Sequence, residues 1–494
     1  MSAVERNILT IIDPSIVLDE LNIPDIESGT DNSEVEEPIK EKPTKFTSVI
    51  PIIKVKDYTV QGDRLEMFEL DLTGFYPTCR FSFYDRDGLF TARHFPTDGD
   101  IIQLYIRSQG EETTFKPIRL DFTIEDIKPL GGGGSTNSVP QFMVEGRVNI
   151  PNLFTEKVEY EQATSYNALL GIAERLNIGF ASNVDDTTDE QIWTNPYDTS
   201  QKFINDIVAN SYLDDNSFLT AYIDPYYYLT LVEVNRLFEQ ESAVEVTKMY
   251  SQNAADTMGS DGEVDEEVDV PYFLSNRLQM QGTAAYISTH SQVNKSGTIS
   301  KNNGYKRYTQ FYDLNAKEFI SEFVDPLTTD TPGMIPVGKG RVIDGEPEGP
   351  KDEQVKYKYL GTQGDNVHDN YYYSAILNYQ NLTEIDKFGM VVELDTINPS
   401  IIRYSRIYCQ IMEFGENAKS VLTAPENGED VPPGAQRREE TEDNGGSDKS
   451  SELGIINEML SGFYVITGIE YILTKPGGLR TRVHLRRREI VPTT

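Results

Sequence analysis

Residues 463–490 read FYVITGIEYILTKPGGLRTRVHLRRREI. Two strand-like runs flank Lys475-Pro476-Gly477-Gly478, a turn composition, so the stretch reads as a β-hairpin. The second arm alternates. Leu479, Val483 and Leu485 fall on one side, and Arg480, Arg482, His484, Arg486 and Arg488 on the other. A strand with one apolar and one charged face covers a core with its inner side. Like charges at i and i+2 repel, so such a ladder wants acidic neighbours or a polyanion. Four settings fit it: a solvated outer face, pairing with acids of adjacent strands or subunits, an acidic partner protein, or DNA.

The rest of the sequence makes DNA the weakest of the four. Its 494 residues hold 80 Asp and Glu against 44 Lys and Arg, a net charge of −36. Nucleic-acid binders carry basic patches that displace counterions, and an acidic chain is also repelled by anionic membranes. The acidity instead suits solubility, or a wall that repels passing DNA. The length predicts three or four domains. With 28 Tyr and 22 Phe but 1 Trp, the composition favours β structure. Cys79 and Cys409 sit in apolar, strand-like runs and read as buried free thiols. The opening MSAVERNILTIIDPSIVLDELNIPD has no basic segment and no unbroken apolar core, so it does not read as a secretory signal. Nothing approaches the ~18 apolar residues of a membrane span. Folding or assembly in a cytoplasm, without direct membrane insertion, is expected.

Working back along the chain, residues 1–45 hold 11 acids and 4 bases and read as an extended acidic arm. Its apolar island is Ile11, Ile12, Ile16, Val17 and Leu18. Residues 46–155 are β in pattern: Phe81 and Phe83 alternate with polar neighbours, and FPTDGDIIQLYIR (95–107) carries a turn then a strand. GGGGSTNSVP (131–140) reads as a hairpin tip. Over 156–245 the period changes to that of a small α/β module. Ala168, Leu169, Ile172, Ala173 and Leu176 make one helical stripe, with Ser165 as expected N-cap and Gly179 near the stop. Phe203, Ile204, Ile207 and Val208 make a second, with Asp198 as cap and Gln201 completing a capping box. A hairpin turning at Asp224-Pro225 follows. An acidic loop is expected at 246–270, a second β region at 271–423 with an insertion at about 324–365, a disordered acidic loop at 424–452, and the hairpin region at 453–494. YYYSAILNYQNLTEIDKFGMVVELD (371–395) and IIRYSRIYCQIMEF (401–414) read as strands.

Chemistry is sparse in this pattern. His94, His290, His368 and His484 have no Cys, His or Asp partner at metal-ligand spacing. A nucleophile elbow, a P-loop and a dinucleotide fingerprint are all lacking. We therefore expect no catalytic residue, no cofactor and no metal. Asp85, Asp87, Asp98 and Asp100 lie near aromatics and are the carboxylates to weigh for glycoside hydrolysis. Asp-Arg-Asp-Gly and Asp-Gly-Asp are also turn sequences, the reading favoured here. Tyr226–Tyr228 read as sheet-packing residues. Tyr371–Tyr373 stay open between a sugar or interface platform and sheet packing.

Four stretches together resemble the central hub proteins of contractile-tailed phages, a group including T-even-type torus hubs, late-control D proteins and hubs of contractile injection systems. They are SYNALLGIAERLNIGF with the later NPYDTSQKFINDIVANSYLDDNSFLTAYIDPYYYLTLVEV; FPTDGDIIQLYI; LNYQNLTEIDKFGMVVELDTINPSIIRYSRIYCQI; and GFYVITGIEYILTKPGGLRTRVHLRRREI. The resemblance implies a mainly β fold, with two tube-like β-barrel domains (46–155, and 271–423 closed by 453–494) flanking the small α/β domain. It further implies a structural virion protein of the tail baseplate, not an enzyme. Such a protein forms a homotrimer that adapts a hexameric tail tube to a trimeric central spike and lines the genome ejection channel. Spike protein, tail tube protein, tape measure and baseplate wedge proteins are the implied partners, with no specific nucleic-acid binding. Arg480, Arg482, Arg486 and Arg488 then become candidates for a subunit or spike interface. The acidic arm and the insertions near 251, 324 and 424 depart from the family pattern. The alternative is a tail-associated lysin or glycan-binding baseplate protein, which needs a carboxylate pair in an aromatic cleft. A secreted adhesin would need a signal sequence.

Overall fold

The computed structural model describes residues 51–107, 117–130, 139–239, 272–274, 285–295, 306–314, 316–324, 335–336, 355–363, 367–394, 397, 401–413, 455–457, 460–474 and 478–490. The expected arm at 1–45, the loops at 246–270 and 424–452, most of the 324–365 insertion and the GGGGS tip lie outside the described residues.

Alternation builds the first sheet. Its strands are β1 (Ile52–Val55), β2 (Tyr58–Val60), β3 (Leu65–Asp71), β4 (Thr78–Tyr84), β5 (Ile101–Ile106), β6 (Ile118–Leu130) and β7 (Gln141–Val148). In β4, Cys79, Phe81 and Phe83 are buried while Arg80 is exposed. Phe81 and Phe83 stack at 6.0 Å, and Phe90 meets Phe83 edge-on at 5.0 Å. Each such fully buried ring contributes about 1.5–3 kcal/mol of transfer free energy.

The α/β module follows with β8 (Glu156–Ala163), α1 (Ser165–Leu176), β9 (Gly179–Ser182), β10 (Gln191–Thr199), α2 (Ser200–Asn210), β11 (Leu219–Ile223), β12 (Tyr228–Glu233) and the short α3 (Asn235–Glu239). Both helices bury the stripes expected from their sequence. Their caps differ by one residue from the expectation. Thr164 and Thr199 are the N-caps, accepting from Asn167 N and Lys202 N. Ser165 is instead buried inside the first turn, and Asp198 holds the Lys202 ammonium at 2.7 Å. The Asp224-Pro225 hairpin joins β11 to β12, with Asp224 Oδ1 accepting from Tyr226 N and Tyr228 N.

The remaining strands are β13 (Tyr272–Leu274), β14 (Ala285–Asn294), β15 (Lys306–Asp313), β16 (Glu318–Val324), β17 (Ile335–Pro336), β18 (Val355–Gln363), β19 (Phe388–Leu394), β20 (Arg406–Gln410), β21 (Met412–Glu413), β22 (Ile455–Ile456), β23 (Gly462–Thr474), β24 (Gly478–Arg486) and β25 (Glu489–Ile490). Residues Tyr371–Ile385 form helix α4, not the expected strand. The helix buries Asn378, Gln380, Asn381 and Glu384 beside Ile376, Leu377 and Ile385, so its inward face is half polar and shows no apolar period. Those polar groups have partners: Asn378 Oδ1 accepts from Leu219 N at 2.9 Å, and its Nδ2 donates to Ser211 O at 2.8 Å.

One sheet of 13 strands organises the molecule, in the order β2-β1-β5-β6-β7-β4-β3-β23-β20-β13-β14-β19-β24. Because β24 also pairs with β23, the last six strands close on themselves into a ring. Strand β13 lies parallel to β14 and β20, and the other pairs are antiparallel. The fold is mainly β with an added α/β module, as the sequence predicts. Ring closure is tight at Gly389: a Cβ there would stand 2.0 Å from Leu485 O, so only glycine lets β19 lie against β24. The seam between the first seven strands and the ring is the β3–β23 pairing, which places Glu470 opposite Asp71.

Candidate functional site: the charged face of the closing strand

The expected alternation holds along β24. Leu479, Thr481, Val483 and Leu485 are buried, while Arg480, Arg482 and His484 are partly exposed on the other face. Strand β24 lies between β19 and β23, and the register sets Arg482 between Glu393 and Glu470. Arg482 grips Glu393 Oε1 with Nη2 at 2.8 Å and Nε at 3.2 Å, and Glu470 Oε2 with Nη1 at 2.9 Å. His484 Nε2 reaches Glu470 Oε1 at 2.7 Å, and Arg480 Nη1 lies 3.8 Å from Glu393 Oε2. Burial pulls the Glu470 carboxyl upward, but His484 and Arg482 outweigh it and hold the group below the usual carboxylate range. Burial likewise works against the Arg482 charge, and its bonds to Glu393 and Glu470 hold the guanidinium above its usual range.

The lower end of the ladder turns inward. The Arg486 side chain is 8% exposed, and its Nε reaches Asp386 Oδ1 at 3.1 Å. Arg488, past the end of β24, is clamped between the Phe218 and Phe238 rings at 4.9 and 4.7 Å and donates to Asn235 Oδ1. It thereby bolts the strand end to the α/β module. Sequence reading missed Arg487, which faces the opposite side. Its guanidinium stacks over Phe388 and Tyr464 and donates to Ser461 O at 3.0 Å. Burial pushes its pKa below the usual value. The structure thus brings Arg480, Arg482 and His484 into one ion-paired network, and separates Arg486 and Arg488 from it as buried anchors.

The network continues across the seam. Glu393, Arg482, Glu470, Asp71, Thr78 and Arg147 stand opposite one another in register on six successive strands. Beside them Arg80 lies 3.2 Å from Glu145, and a shallow depression of about 200 Å³ opens over Glu69, Asp71, Arg80, Glu125 and Glu145. One face of the joined sheets is therefore a charged band, in which the acids Glu470 and Asp71 stand side by side at the seam.

The other candidates are structural. Asp85 accepts from Phe90 N, Thr91 N and Thr91 Oγ1 and starts the π-helical turn Phe90–His94. Asp87 pairs with Arg64 at 2.7 Å, Asp100 accepts from Thr97 N at 2.7 Å, and Asp98 is exposed. Tyr227 donates no platform; its hydroxyl accepts from Asp121 N at 2.8 Å. Tyr371, Tyr372 and Tyr373 occupy the first turn of α4, against His368, Phe311 and Tyr212 respectively. Among the described residues no three of His, Cys, Asp and Glu form a metal-ligating group. Cys79 and Cys409 are buried free thiols whose pKa burial drives up.

The sequence matches no protein-family model and no curated protein. Solved structures similar to it include a tail protein from Neisseria meningitidis MC58, at 9% identity and TM-score 0.47, covering 89% of this chain and 97% of that one. Another is the 43 kDa tail protein of prophage MuSo2 from Shewanella oneidensis, at 9% identity and TM-score 0.45, covering 88% and 98%. A third is an Escherichia coli component of the type VI secretion system, at 8% identity and TM-score 0.38, covering 89% and 80%. At TM-scores below 0.5 these likenesses carry no weight for function.

Proposed function

We propose that this chain is a structural virion protein, the central hub of a phage tail baseplate. Three copies form a ring that adapts a hexameric tail tube to a trimeric spike and lines the genome ejection channel. The observation that carries this reading is the β3–β23 seam, which fuses an antiparallel β sheet to a closed six-stranded ring in one chain. A chain with two β units side by side presents six such units as a trimer, which matches six-fold on one side and three-fold on the other. The net charge of −36 suits a channel wall that repels a passing polyanion. Arg480 and Arg482, with side chains 40% and 36% exposed, serve the subunit or spike contact. Arg486 and Arg488 stiffen the strand behind them. Tape measure and wedge proteins meet the ring elsewhere. The lysin alternative loses three of its four candidate carboxylates, since Asp85, Asp87 and Asp100 hold turns.

Light scattering with negative-stain imaging tests the reading: a trimeric ring with a central hole supports it. A compact monomer that cleaves peptidoglycan overturns it in favour of the lysin. Arg480→Glu is expected to weaken ring or spike assembly with the fold intact; a ring that still binds spike refutes the arginine role.

A further inference from the structure

One end of the first sheet carries the opposite charge from the chain as a whole. Register puts Lys54 of β1, Gln103 of β5 and Asp121 of β6 in one row across three strands, and Ile52, Tyr105 and Arg119 in the next. Residues directly opposite one another share a face, and Arg107, one residue past β5, follows Tyr105 by two. Lys54, Arg107 and Arg119 are half-buried. Burial pushes the Tyr105 hydroxyl up and Arg107 and Arg119 pull it back, so both guanidinium charges lie within electrostatic reach of one hydroxyl. Among the described residues no ion pair or hydrogen bond engages the side chain of Arg107 or Arg119. Arg64, Arg80, Arg147, Arg175, Arg482 and Arg486 each meet a carboxylate. These rows therefore gather three bases against one acid, Asp121, in a chain of −36.

The chain enters the sheet at this spot. Ile52, the first residue of β1, stands in the Arg119 row. Of the residues that precede it, 13–37 hold nine Asp and Glu and no Lys or Arg. Lys40, Lys42 and Lys45, with Glu41, lie between that tract and the sheet. Ile52 is 15 residues after Glu37. A coil of that length spans about 20 Å, and about 50 Å at full stretch. Arg119 is two strands away from Ile52, or about 10 Å. The tract is thus long enough in tether to return to the rows beside its own entry. Tethering at this range holds a segment at an effective concentration on the order of millimolar, so weak ion pairs suffice to seat it.

We propose that the acidic tract 13–37 docks on the Lys54, Arg107 and Arg119 face of its own chain. Charge and tether together select this occupant. A foreign partner that matched the face would be acidic and would have to approach a chain of −36, whereas the tract is already attached beside it. The rival acids within the chain are Glu111 and Glu112, beyond Arg107, and those at 246–270 and 424–452. The docking needs neither ring nor spike and goes beyond the hub reading.

Zero-length carbodiimide coupling of the full chain, read by peptide mass spectrometry, tests it, because the reagent joins an ammonium only to a carboxylate in contact. Lys54 is expected to couple to an acid of 13–37 in about 50 mM salt, with the yield falling several-fold at about 500 mM. Arg119→Lys keeps the charge and should add a second coupling point to the same tract. Arg107→Gln combined with Arg119→Gln should lower the Lys54 yield roughly fivefold while circular dichroism shows the fold unchanged. If that pair does not fold, the coupling of Arg119→Lys decides the matter. Mixing isotope-labelled with unlabelled chain separates the sources. Links within one isotope uphold the docking, and mixed links assign the tract to a second copy and overturn it. Coupling of Lys54 only to Glu111, Glu112 or the later acidic stretches, or to nothing, overturns it too. A yield indifferent to the double variant overturns the role of the arginines.

Discussion

Glu470→Gln isolates the centre of the charged band. The carboxylate of Glu470 is 12% exposed and answers Arg482 at 2.9 Å and His484 at 2.7 Å. Glutamine keeps the shape and one acceptor oxygen but removes the charge. Two charge-assisted bonds are weakened, each worth about 1.5–3 kcal/mol in a buried setting. Arg482 is one-third exposed and retains Glu393, so the expected loss is discounted to about 2 kcal/mol in total. Urea unfolding followed by circular dichroism should show a lower midpoint at pH 7 with an unchanged slope. The pH dependence gives a second check. The Glu470 pKa is lowered on folding, so its contribution is present above the ordinary carboxylate value of 4.5 and is lost as pH falls through the folded value. The gap between wild type and variant should therefore narrow as pH falls below 4.5. A loss under about 0.5 kcal/mol at pH 7, or a gap that stays constant into acid, would refute the view of Glu470 as the clasp of the closing strand.

Gly389→Ala should prevent ring closure or cost about 3 kcal/mol or more, because its Cβ meets the Leu485 carbonyl rather than a movable side chain; thermal unfolding measures it. Asn378→Ala should cost about 3 kcal/mol, since it orphans Leu219 N and the Ser211 carbonyl together, and hydrogen exchange at Leu219 should accelerate. His368 is held below its ordinary 6.5 by burial, with Nε2 against Asn210 O at 3.0 Å. A depressed histidine contributes stability above 6.5 that is lost as pH falls, so His368→Gln should flatten the acid limb of the stability profile just below 6.5.

What the sequence made legible was what lies close along the chain. Thr474 stands opposite Gly478 across a connection of three residues, so Glu470 opposite Arg482 follows by counting. Glu393 could not be found that way. It reaches Arg482 only because β19 pairs with β24 after a long excursion, and no local pattern encodes that choice. The helix at Tyr371–Ile385 was misread for a related reason. Three tyrosines favour a strand, and the inward face carries Asn378, Gln380, Asn381 and Glu384: Asn378 reaches Val208 O and Leu219 N on other elements, while Gln380 donates to Glu384 and Asn381 to Leu377 O within the helix.

The arginine ladder shows how far a two-residue period can carry an argument. Alternation alone set Arg480, Arg482, His484, Arg486 and Arg488 on one face, and the first three share it. Alternation holds only while the strand does. Strand β24 ends at Arg486, and around that end three consecutive arginines find three different enclosures: Asp386 for Arg486, the Phe388 and Tyr464 rings for Arg487, and the Phe218 and Phe238 rings for Arg488. Guanidinium suits this use, because its flat faces stack on aromatic rings while its edges still donate. A lysine at 488 could not do both at once. Arg488→Lys is thus expected to loosen the α/β module from the closing strand while leaving the Arg482 network intact. Faster proteolysis near Asn235 without loss of the Glu470-dependent stability would be the sign of it.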